Sequence, residues 1–140
     1  MIEVVNRQRK KKIEPEAWTT IASEMLKAIG KSQSSATVAF VSDTKIRELN
    51  RKFRGIDSAT DVLSFPDAAT ARQRQGQNLG DIAVSVEQAE RQAKENGLRF
   101  QEEISQLILH GLLHLCGYDH ETDNGEMNRL ELRLRKKLGI

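Results

Sequence analysis

The chain has 140 residues, 38% of them hydrophobic and 30% charged, which suits one globular domain around a single core and excludes a chain disordered throughout. Its net charge of +2 is too small to name a nucleic-acid partner, no stretch approaches a membrane span, and no apolar leader follows Met1. Cys116 is the only cysteine, so no internal disulfide can form, and the reading is a soluble cytoplasmic protein in a reducing compartment.

The branched run Ile2 to Val5 predicts a first strand, followed by the basic cluster Arg7, Arg9, Lys10, Lys11 and Lys12. Pro15 suits a first helical turn; Trp18, Ile21, Ala22, Met25 and Ile29 recur at helical spacing, and Gly30 is the stop. Ala36 to Val41 reads as a buried strand. Ser42 and Asp43 are N-caps for a helix carrying Ile46, Leu49 and Phe53 on one face and ending at Gly55. A strand is expected from Asp61 to Phe65, stopped by Pro66, which has no amide hydrogen for a ladder. Pro66 to Gly80 is polar and reads as a surface loop, and Asp81 to Val84 as a further short strand.

Ser85 and Gln88 have the spacing of a capping box opening a helix that stops near Gly97. The next helix is expected from Gln101 to Cys116, with Glu102 and Glu103 in its first turn and Gly117 to end it. Asp123 and Glu126 predict a second capping box and a last helix with Met127, Leu130, Leu134 and Leu138 on one face. Arg133, Arg135, Lys136 and Lys137 near its end read as a solvated helix terminus, with a phosphate-binding surface as the alternative. The expected class is α+β: one domain over residues 1–140, a small mixed sheet packed by helices.

All three histidines fall in the run HGLLHLCGYDH, His110 to His120. Residues four apart share a helix face, so His110 and His114 can present their rings to one ion, while the core stripe uses Ile104, Ile108, Leu112 and Leu115. A helix-ending glycine at 117 would swing the chain back and return His120 beside them. Three neutral imidazoles leave the fourth position of a zinc ion open for water, the arrangement of a zincin-like catalytic site, and one Zn2+ is the expected cofactor. The spacing matches the three-histidine peptidase signature, except that position 111 is Gly where a peptidase carries its general-base Glu. Asp119 and Glu121 read as solvated carboxylates or as groups orienting a ligand, and Cys116 as a small buried residue rather than a fourth ligand.

Three stretches, HGLLHLCGYDH, LNRKFRGIDSATDVLSFP (Leu49 to Pro66) and LGDIAVS (Leu79 to Ser85), resemble the YbeY family of endoribonucleases, and the resemblance covers nearly the whole chain. It implies a single-strand-specific, metal-dependent endoribonuclease acting on ribosomal RNA, notably at the 3′ end of small-subunit RNA, and in ribosome quality control. It also implies His110, His114 and His120 as zinc ligands and Arg54 as the functional arginine. A planar guanidinium there could hold a phosphodiester bidentately, whereas the residue types alone favour a solvated arginine at a helix end. With aromatics at 4% of the chain, recognition is expected to rest on backbone charge, with weak sequence preference. The expected partners are single-stranded RNA and the ribosome, with no membrane. The rival readings are a zinc-stabilised RNA-binding factor without catalysis and a metallopeptidase that lacks its base.

Overall fold

Strand β1 (Ile2–Asn6) opens the chain and helix α1 (Pro15–Ile29) follows the basic segment, in a computed structural model that describes residues 1–67, 78–119 and 121–140. The remaining elements are β2 (Ser35–Val41), α2 (Asp43–Arg54), β3 (Val62–Pro66), β4 (Asn78–Ser85), α3 (Val86–Asn96), α4 (Phe100–Leu115) and α5 (Glu126–Leu138). The four strands form one mixed sheet in the order β1-β2-β4-β3, with β1, β2 and β4 parallel and β3 antiparallel on the edge beside β4. The α+β class expected from the sequence is the one observed.

Strand alternation sorts the two faces. On β2, Ala36, Val38 and Phe40 join the main core with Ile82 and Val84 of β4, against α1 and α4; Val41 faces the other way and packs with Ile46 of α2, Leu63 and Ala83. Helix α4 is buried more widely than the predicted stripe, since Leu107, Leu109 and Leu113 are covered too. It is enclosed by β3, β4, α1, α3 and α5, so a helix that reads as amphipathic is in fact the central one.

The approach of α4 to the sheet requires Gly111. A Cβ there would stand 3.0 to 3.3 Å from three side-chain carbons of the fully buried Ile82, and Ser64 Oγ donates to the Gly111 carbonyl at 3.3 Å. The helix backbone therefore lies directly on β3 and β4, which fixes the histidines one residue before and three after against the edge strand.

Several boundaries differ from expectation. Pro66 is the last residue of β3 rather than its stop, paired with Gly80; an edge strand tolerates a residue without a donor. β4 starts at Asn78, three residues before the predicted Asp81, and residues 68–77 of the predicted loop lie outside the described residues. Phe53 is 59% exposed, in edge contact with Phe65 at 5.3 Å and with the Lys52 ammonium over its ring, because α2 buries the Ile46–Asn50 side instead. Ser85 Oγ caps α3 by accepting from the Gln88 amide, but the return half of the box is replaced: the Ser85 amide serves the Asp61 carbonyl and Gln88 takes Arg91. Helix α5 begins at Glu126, and Asp123 reaches it from the preceding turn by accepting the Gly125 and Met127 amides. Among the described residues, no helix is long and apolar enough to cross a membrane.

Candidate functional site

Helix α4 ends in a pair of hydrogen bonds that turn the chain sharply: the Gly117 amide donates to the His114 carbonyl at 3.0 Å and the Tyr118 amide to the Leu113 carbonyl at 3.1 Å. This double bond requires a left-handed residue, and Gly117 has φ +96°. The turn brings Tyr118 and Asp119 back along the exposed side of α4, where they wall a cleft of about 1020 Å³ together with β3, the end of α2 and α5.

His110 and His114 point into this cleft from one face of α4, their rings 4.7 Å apart and inclined at 78°. Their Nε2 atoms are 3.1 Å apart, and the Glu131 carboxylate lies 2.7 Å from His110 Nδ1. An ionised carboxylate on Nδ1 places the proton there and leaves the Nε2 lone pair facing His114. The pair fits a metal ion: two nitrogens at that separation, each about 2.0–2.1 Å from one zinc, subtend about 100°, close to tetrahedral. His120 lies outside the described residues, so the three-histidine set is brought together here only as far as His110 and His114. Its chain neighbours Asp119 and Glu121 both line the cleft.

Glu131 is 8% exposed and gives its second oxygen to Arg135 Nη2 at 2.6 Å. Burial pushes its carboxyl up, but the hydrogen bond from His110, followed by the charges of His110 and Arg135, outweighs burial and holds it below the ordinary value. A depressed carboxyl contributes stability that is present above its unfolded value and lost as pH falls through the folded one.

Arg54, the last residue of α2, lines the same cleft beside Thr60 and Asp61. Among the described residues no carboxylate pairs with it, whereas Arg47 is held by Asp57 and Arg135 by Glu131. Asp61 caps the edge strand, accepting the Val62 amide at 2.7 Å, and Asp119 accepts the Glu121 amide at 2.9 Å. The carboxylate that orients a histidine is thus Glu131, on α5. Cys116 is half-buried in a separate dent with Ile29 and Lys31, its thiol pushed up by burial against a small opposing effect of Lys31. Three cleft residues escape motif reading: Glu131, Arg135 and the buried Glu103. Two carried a signal, an acid inside an apolar stripe: Glu131 lies between Met127 and Leu134, and Glu103 between Phe100 and Leu107.

A family model described as endoribonuclease YbeY matches residues 3–139. Proteins named endoribonuclease YbeY from Solibacter usitatus and Nautilia profundicola are each 52% identical over 98 residues, 70% of this chain and 62% and 68% of theirs. A protein of the same name from Aquifex aeolicus is 44% identical over 119 residues, 84% of this chain and 74% of that one. The chain thus spans somewhat under two-thirds of the Solibacter protein. A Thermotoga maritima protein solved in solution superposes with a TM-score of 0.65 at 30% identity, covering 99% of this chain and 89% of that one.

Proposed function

Since the chain belongs to the YbeY family, we propose that it is a zinc-dependent endoribonuclease that cuts single-stranded RNA in ribosomal RNA processing, including 3′ end maturation of small-subunit RNA, and in ribosome quality control. The observation that carries the reading is the placement, in one cleft, of the two near-touching imidazoles, the carboxylate behind one of them and Arg54, which no carboxylate among the described residues pairs.

His110, His114 and His120 would hold a zinc ion, which would supply Lewis-acid polarisation of a phosphodiester oxygen or ionisation of a water to hydroxide. The chain's own residues do the rest. Arg54 grips the non-bridging phosphate oxygens and offsets charge that builds on them as the bond breaks. Glu131 keeps the proton on His110 Nδ1 and Arg135 keeps Glu131 ionised and in place. The ends formed, a 2′,3′-cyclic phosphate or a 5′-phosphate, identify whether the RNA's own 2′-hydroxyl or water attacks.

The edge strand favours a phosphodiester over a peptide. Asp61 and Asp67 bond toward β4, through Ser85 N to the Asp61 carbonyl at 2.9 Å and Asp67 N to the Leu79 carbonyl at 3.0 Å. Ladder alternation therefore turns the backbones of Val62, Ser64 and Pro66 toward the cleft. The Val62 amide is taken by Asp61 and Pro66 has none, so an extended peptide would find one outward amide, that of Ser64.

The reading is tested by incubating zinc-loaded protein with end-labelled single-stranded RNA, the same sequence in duplex, and casein. Cutting confined to single strands and stopped by a chelator is expected; zinc-bound protein that leaves RNA intact would refute it. For the support of His110, a Glu131→Gln variant is expected to bind zinc about 10- to 100-fold more weakly, read by competition with a chromophoric chelator, and to flatten the acid limb of the stability profile. Unchanged zinc affinity in the folded variant would remove Glu131 from the site.

A further inference from the structure

Two buried carboxylates line the cleft, and they are held very differently. Glu131 divides its oxygens between His110 and Arg135. Glu103, 5% exposed, has the side-chain amide of the exposed Asn96 at 3.0 Å, and among the described residues no cation pairs with it. The start of α4 offsets part of the cost of a buried negative charge, but one neutral amide is a poor substitute for water.

Its position is informative. Glu103, Gln106, Leu107 and His110 follow the +3, +4 and +7 spacing of one helix face, and all four line the cleft. Seven residues place Glu103 about 10 Å along the helix axis from His110. Asn96 and Leu98, from the α3–α4 junction, close that end.

A carboxylate repels a phosphodiester, so an RNA strand whose phosphate is held at Arg54 cannot run its backbone over Glu103. RNA offers a carboxylate the ribose 2′-hydroxyl, the ring N–H of guanine and uracil, and the exocyclic amines, of which the amines project furthest from the base edge and carry two N–H donors. We propose that this end of the cleft is a nucleobase subsite, in which Glu103 accepts a hydrogen bond from the exocyclic amine of adenine, guanine or cytosine, the group that uracil lacks. Leu98 and Leu107 provide apolar walls for the ring, and Gln106 supplies a second polar contact able to donate or accept. This deepens the endoribonuclease reading and rests on it, and it replaces weak sequence preference with a specific discrimination against uracil.

The test is fluorescence anisotropy on the zinc-loaded protein with cleavage-resistant 2′-O-methyl phosphorothioate strands, a labelled uridine decamer and versions carrying one internal cytidine, adenosine or guanosine. The wild type is expected to bind the amine-bearing strands about five- to fiftyfold more tightly than the uridine strand. In Glu103→Ala the ratio should collapse to within about twofold, with Glu103→Gln intermediate because it keeps size and the bond from Asn96 but loses the charge. The wild-type ratio needs no variant, and circular dichroism checks that the variants fold. A wild-type ratio below about two, or one unchanged in a folded Glu103 variant, overturns the subsite while leaving the nuclease reading intact. Failure to bind any of the strands, together with failure of zinc-loaded protein to cut RNA, overturns both.

Discussion

A Gly111→Glu variant is expected to lose more than about 3 kcal/mol of stability and to gain no peptide hydrolysis. Placing the peptidase glutamate at this position is favourable by helix propensity, since a helix favours glutamate over glycine by most of 1 kcal/mol. The structure reverses the sign. A Cβ at position 111 meets Ile82 at 3.0 Å, in a part of the core where Ile82 is fully buried, and the side chain beyond would carry a carboxylate toward the sheet rather than into the cleft. For a domain with a few to about 15 kcal/mol in total, thermal melts should show a fall of about 10 °C or more, or no folded state. Gly111→Ala isolates the steric part: a smaller loss is expected, relieved by adding Ile82→Val. A folded Gly111→Glu protein with wild-type melting would show that α4 does not lie on β4 as closely as described.

The second large effect is at Arg54. Arg54→Ala is expected to lower RNA cleavage about 100- to 1,000-fold, as removal of one charge-stabilising donor does, with bound zinc unchanged. Arg54→Lys should recover only part of the rate, because a point charge cannot reproduce a two-pronged grip on phosphate oxygens. The residue sits at the exposed end of α2 and supports no core, so melting should be unaffected. A loss below about threefold in single-turnover cleavage would remove Arg54 from the reaction.

These two positions show what could be read without coordinates. His110 and His114 were legible because four-residue spacing on a helix is geometry that the sequence itself contains, and Gly117 because ending that helix and turning it back needs a left-handed residue. Arg54 came from the resemblance alone; that no carboxylate among the described residues pairs with it is a tertiary fact. Glu131 was harder to place in the cleft, since what matters is which helix crosses behind the histidines, and the crossing of α5 on α4 is set by packing that no local pattern encodes; Glu103 shares the histidine face by spacing, but its burial is a tertiary fact. The early start of β4 was hidden for a similar reason: Asn78 and Gly80 are poor strand formers, and they join the strand because β2 pairs with Asn78 and β3 with Gly80. The wide burial of α4 came from five neighbouring elements rather than from its own periodicity.

Whether this cleft cuts RNA through its histidine-held metal is decided by cleavage of an end-labelled single-stranded RNA by zinc-loaded wild type beside a His114→Ala variant purified identically. Internal cuts that a chelator stops are expected from the wild type, and at least a thousandfold less from the variant, as loss of a metal ligand implies. Equal cutting by both preparations, or none from wild type that demonstrably binds zinc, would contradict metal-dependent cleavage at this site.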